Sequence, residues 1–202
     1  MLRFFGVLGL LVFLSQPVWA KPITILALGD SLTAGLGLAE EESFPSRLEA
    51  ALKAAGHDVR IINAGVSGDT AQAGLSRLDW ALTEDVQGLI VELGANDALR
   101  GIAPDVTKAA LDGILRKLTE RKIAVLFAGM KAPRNMGADY ASAFDAIFPA
   151  LAAAHPVVFY PFFLDGVATD PKLNQGDGLH PIAAGVDVIV ARILPQVEEL
   201  IA

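Results

Sequence analysis

The sequence contains no cysteine, so no disulfide can staple it and no thiolate can ligate a metal. It holds three histidines, His57, His155 and His180, too scattered for a histidine metal site, and H-E-x-x-H is absent. There is no G-x-x-x-x-G-K-[ST] and no G-x-G-x-x-G opening a helix after the first strand, so nucleotide binding has no support. Basic runs are missing too, which argues against nucleic acid and against electrostatic docking on anionic membrane. Aromatic side chains suited to stacking a sugar are few: outside strands, only Trp80 and Tyr140 qualify. The G-x-S-x-G elbow is absent as well. Ser67 comes closest, but Asp69 stands at the last position, which disfavours the α/β-hydrolase fold.

What is present begins with a leader. Arg3 supplies a positive start, Phe4 to Leu14 form an uncharged apolar run, and Val18 and Ala20 place small residues before a cleavage point. This reads as a secretory signal peptide over residues 1–20, cleaved after Ala20. The run is shorter than the ~20 residues that span a bilayer, so an anchor is the weaker reading. No cysteine follows to carry a lipid, and no later segment is long and apolar enough to cross. Stable membrane insertion is therefore not expected. The remaining residues, 21–202, suffice for one domain with its own core. Losing Arg3 moves the formal net charge from −7 to −8, ordinary for a soluble exported protein.

Short apolar runs then alternate with segments of helical spacing. Ile23–Leu28, Val59–Ile62, Leu89–Leu93, Ile123–Ala128 and Val157–Tyr160 lack polar alternation, as expected of strands buried on both faces. Helices are expected over Ser43–Ala55, Thr70–Thr83, Pro104–Arg121, Asp139–Ala154 and Pro181–Leu200. Pro104 and Pro181 would open theirs, where no N–H is needed. The alternation predicts an α/β fold with a parallel sheet, whose ligands bind at the carboxyl ends of the strands.

The first such loop reads Gly29-Asp30-Ser31-Leu32-Thr33. It sets a serine on a tight turn at the sheet edge, although Ser and Asp are also ordinary turn residues. A serine nucleophile needs a base. His57 and His155 precede strands and fall on the amino side of the sheet. His180 alone lies in a carboxyl-side loop, with Asp177 three residues ahead and Gly178 between them to make the turn. That carboxylate can fix the imidazole tautomer. Two more loops offer oxyanion donors: Ala64 to Thr70, with the Gly68 N–H, and Gly94 to Asp97, with the Asn96 amide.

These four segments resemble the four signature blocks of the SGNH (GDSL) hydrolase family, in the family's order. The resemblance implies Ser31 as nucleophile; Ser31 N–H, Gly68 N–H and the Asn96 side chain as oxyanion hole; and Asp177 and His180 as the rest of the triad. Gly94 to Asp97 and the run Pro133 to Phe144 look most like the bacterial acyl-CoA thioesterase/lysophospholipase/arylesterase branch. That branch implies a flavodoxin-like three-layer α/β/α sandwich with a five-stranded sheet, a periplasmic home, a monomer or weak oligomer, and no cofactor or metal. The expected activity is hydrolysis of small-molecule or lipid acyl esters and thioesters through an acyl-enzyme. Leu99, Ile102, Phe162, Phe163 and Leu179 are candidates for an acyl groove, and plain core packing accounts for each equally well. A short-acyl carbohydrate acetylesterase is the runner-up. A non-catalytic binding module on the same scaffold is the competing class, since function lives in sites grafted on folds.

Overall fold

The computed structural model describes residues 21–202; the expected leader, residues 1–20, lies outside the described residues. Five strands, β1 (Ile23–Gly29), β2 (Val59–Gly65), β3 (Val86–Glu92), β4 (Ala124–Ala128) and β5 (Val158–Tyr160), pair in parallel in the order β2-β1-β3-β4-β5. This is the flavodoxin-like order, and its direction of winding reverses between β1 and β3. Because parallel crossovers keep one hand, that reversal sends helices to both faces of the sheet.

The helices are α1 (Ser31–Ala34), α2 (Phe44–Ala54), α3 (Ala71–Ala81), α4 (Ala95–Leu99), α5 (Pro104–Glu120), α6 (Ala138–Asp145), α7 (Ile147–Ala154) and α8 (Ala183–Ile201). α2 packs beside α8, and α3 packs beside α5, giving the two outer layers. In α5, Leu111, Ile114, Leu115 and Leu118 recur at helical spacing and are fully buried. Each contributes about 1.5–3 kcal/mol by leaving water. Phe127 of β4 lies 5.5 Å from Phe148 and 6.1 Å from Phe159, joining sheet and helix layer.

Four expectations are corrected. Val59–Ile62 reads as buried on both faces, but β2 is an edge strand with Arg60 and Asn63 exposed. The helix expected over Asp139–Ala154 breaks at Ala146 into α6 and α7. Pro149 lacks an N–H, and its ring opposes the carbonyl four residues back, at Asp145. Pro181 does not open the last helix: α8 starts at Ala183, and Pro181 instead bridges to Asn174. The short helices α1 and α4, at four and five residues, stand where turns are expected from the sequence.

Candidate active site

Ser31 opens α1 directly beyond β1. Its turn is set by Asp30, whose Oδ1 accepts the Leu32 N–H at 3.0 Å as an N-cap. The serine is 8% exposed, and its Oγ lies 2.9 Å from His180 Nε2. On the far side of the ring, Nδ1 lies 2.6 Å from Asp177 Oδ2. An ionised carboxylate only accepts, so Nδ1 carries the proton and Nε2 is left to accept from the serine hydroxyl.

The loop bearing Asp177 and His180 is held by its backbone. Gly178 has φ +70, the left-handed conformation that folds the carboxylate back on the ring. Asp177 Oδ1 accepts the N–H groups of Leu179 at 2.9 Å and His180 at 3.1 Å. The hydrogen bond from His180, then the two backbone donors, pull the Asp177 carboxyl down to about 2. Behind it, the Gln175 amide donates to the carbonyls of Leu36 at 2.7 Å and Pro181 at 3.0 Å, tying this loop to the one after α1.

Two further groups line the same cavity as Ser31. Asn96 is the second residue of α4, and one of its amide hydrogens goes to Asp30 Oδ2 at 3.0 Å, leaving the other available. Asp97 locks that short helix in place, accepting Ala71 N–H at 2.8 Å and the Thr107 hydroxyl at 3.0 Å. Gly68 has φ +89, and its carbonyl accepts from Arg100 at 2.7 Å, which fixes the peptide plane on that side. The neighbouring Asp69 is held by Arg77 at 2.6 Å, and the same guanidinium reaches the Gly29 carbonyl at 3.0 Å.

Beneath the turn lie two buried acids. Burial raises the Asp30 carboxyl to about 6, against the opposing pull of Leu32 N–H and Asn96. Glu92, fully buried at the end of β3, is pushed well above the usual range by burial and then by the charge of Asp30.

Ser31, Gly68, Asn96 and His180 all line one cavity of about 600 Å³, with Asp177 behind the imidazole. Leu99, Phe162 and Leu179 are on its wall, as are Met130 and Leu164. Ile102 is not on that wall: its carbonyl accepts the Tyr140 hydroxyl at 2.8 Å. Phe163 is a core residue, fully buried and edge-on to Phe44 at 5.0 Å. The other two histidines face carboxylates elsewhere, His57 near Glu198 at 3.4 Å and His155 near Asp112 at 2.8 Å. Sequence reasoning missed the parts played by Asp30, Arg100 and Asp97. Asp30 looked like a turn residue, and no local pattern ties the other two to the loops they hold.

The strand order and the hydrogen-bonded serine–histidine–aspartate line place the protein among three-layer α/β acylhydrolases. The chain belongs to the GDSL-like Lipase/Acylhydrolase family, whose model matches residues 27–188. It is 37% identical to Esterase TesA of Pseudomonas aeruginosa over 192 residues, 95% of this chain and 94% of that protein. It is 35% identical to Thioesterase 1/protease 1/lysophospholipase L1 of Escherichia coli (strain K12) over 179 residues, 88% of this chain and 85% of that protein. The crystal structure of AlinE4, a SGNH-hydrolase family esterase, is 46% identical with a TM-score of 0.76, covering 91% of this chain and 98% of that one. Among the described residues, no helix is long and apolar enough to cross a membrane.

Proposed function

We propose that this protein hydrolyses acyl esters and thioesters, lysophospholipids and acyl-CoA among them, through an acyl-enzyme on Ser31. The observation that carries the reading is the continuous line from Asp177 to His180 to Ser31, at 2.6 and 2.9 Å, opening on an apolar-walled cavity. His180 Nε2 takes the hydroxyl proton as Ser31 Oγ attacks the acyl carbon. Asp177 holds the ring and stabilises the imidazolium. The carbonyl oxygen becomes an oxyanion facing the N–H groups of Ser31 and Gly68 and the free amide hydrogen of Asn96. His180 then returns the proton to the leaving alcohol or thiol, and water repeats the sequence on the acyl-enzyme.

The acyl chain lies along Leu99, Phe162 and Leu179. A sugar-acetate substrate has less support, because Trp80 sits near the end of α3 remote from the site and Tyr140 is engaged in stacking on Phe144. The protein acts as a single domain over residues 21–202, in the periplasm, as a monomer. Cleavage after Ala20 leaves the sheet whole, since β1 begins at Ile23. A fluorophosphonate probe and a series of p-nitrophenyl esters test the reading together. Labelling and turnover in the wild type, both lost in Ser31→Ala, are expected; equal turnover in the variant refutes it.

A further inference from the structure

We propose that Glu92 is a positioning residue for this reaction: its buried carboxyl braces the turn that carries Ser31 and, through Asp30, the amide of Asn96. The inference rests on the reading of Ser31 and Asn96 just given.

Glu92 ends β3 opposite Gly29 of β1, immediately under the turn. It is 0% exposed. Its Oε2 accepts the Thr33 hydroxyl at 2.7 Å and the Asp30 N–H at 3.4 Å, so one oxygen grips the turn on both sides of Ser31. Asp30 in turn holds Leu32 N–H with one carboxylate oxygen and the Asn96 amide with the other. Nucleophile and oxyanion donor are thereby joined to a single buried group.

The surroundings are shaped for that group. A Cβ on Gly29 would stand 2.0 Å from Thr33 Oγ1 and 2.6 Å from Glu92 Oε2, so a side chain there would displace the contact. Glu92 Oε1 has no partner among the described residues. A carboxyl half satisfied in the core is costly, and a leucine of similar size would stabilise that position more. Stability alone therefore does not account for an acid here. Burial, reinforced by the Asp30 charge, favours the neutral form of Glu92, which leaves Asp30 as the charge that attracts the Asn96 N–H.

The test measures kcat and KM on a p-nitrophenyl ester, with circular dichroism as the check of folding. Glu92→Leu should lower kcat by about 30–100-fold at nearly constant KM, since what it loosens acts on the transition state. Glu92→Gln keeps an acceptor oxygen in place and should stay within about fivefold of wild type. Combined with Asn96→Ala, the leucine variant should add less than about threefold to the single loss, because coupled positions are not additive. A folded Glu92→Leu with wild-type kcat, or losses that multiply in the double variant, would reduce Glu92 to core packing. Should Glu92→Leu not fold, Thr33→Val removes the hydroxyl on the same oxygen, and kcat should fall about 3–10-fold at constant KM. An unchanged kcat there overturns the brace. Ser31→Ala in the same assay separates the two ideas. If it is inert while Glu92→Leu turns over normally, only the brace fails; if it remains active, the reading beneath the brace fails as well.

Discussion

Asp177 and His180 are bonded twice within four residues: the ring nitrogen meets one carboxylate oxygen at 2.6 Å, and the His180 N–H donates to the other, which also accepts the Leu179 N–H. The carboxylate is thus oriented by its own loop before it meets the ring. It keeps its charge down to about pH 2 although it lies at the surface. This relationship sets the order of losses expected from the triad.

Ser31→Ala and His180→Ala should each lower kcat by about 10⁴–10⁶-fold, because triad groups act as a unit. Asp177→Ala should cost less, since it orients and stabilises without transferring a proton. His57→Ala and His155→Ala should leave kcat near wild type, as both rings face carboxylates away from the cavity. Steady-state kinetics on one aryl ester checks all five variants. Inactivation by either of the last two, with His180→Ala active, contradicts the assignment.

Asn96→Ala should lower kcat by about 10²–10³-fold with KM little changed, because the oxyanion exists only after attack. The fluorophosphonate probe should still label Ser31 in this variant, more slowly. A rise in KM at constant kcat would instead make Asn96 a substrate-binding group.

Leu99 ends α4 and Ile102 follows three residues on, yet they differ in placement, and substrate length should tell them apart. Leu99→Ala should penalise octanoyl over acetyl esters by roughly 1–3 kcal/mol, because the far end of the longer chain would no longer be covered by the leucine side chain. Ile102→Ala, whose residue is off the cavity wall, should affect the two esters equally. Equal penalties for both esters in Leu99→Ala would mean that the acyl chain runs elsewhere.

The buried acids give stability a definite pH dependence. Asp30 and Glu92 hold protons in the folded state at pH values where the unfolded chain, with carboxyls near ~4, has released them. Stability therefore falls as pH rises through the window from about 4 to about 6, and further for Glu92. Asp177 acts the other way, adding stability above the ordinary carboxylate range that is lost as pH falls toward about 2. Urea midpoints at pH 5 and pH 7.5 should differ less in Glu92→Gln than in wild type. An equal or larger difference would mean that Glu92 is ionised across that range.

Much of this was legible in the chain because each strand end carries its own signal. The run Ile23–Leu28 followed by Gly29-Asp30-Ser31 fixes both β1 and the place of the serine, and three histidines on known sides of the sheet leave one to face it. Strand order was not legible as periodicity, since edge and centre differ by neighbours rather than by pattern. β2 shows this, with apolar residues like those of β1 but Arg60 and Asn63 in the open. α1 and α4 escaped notice because four or five residues are too few to display a helical repeat. Ile102 and Leu99 look alike in sequence, and only the fold shows that Leu99 lines the cavity while Ile102 does not. Glu92 gave no sign at all: a single acid inside the apolar run Leu89–Leu93 has no local pattern to mark a role, and the chain folds over it.

Ser31 and His180 meet across 149 positions of sequence. The serine precedes four of the five strands and the histidine follows them all, just ahead of the helix that packs on β4 and β5. The bond between them cannot exist in a nascent or unfolded chain, nor in one cut short before its final loop. Any reagent that reads the paired serine is therefore also a reporter of completed folding. A chain threaded unfolded through a membrane would be chemically silent in transit, and would come alive only where the Ser31 and His180 loops close on each other.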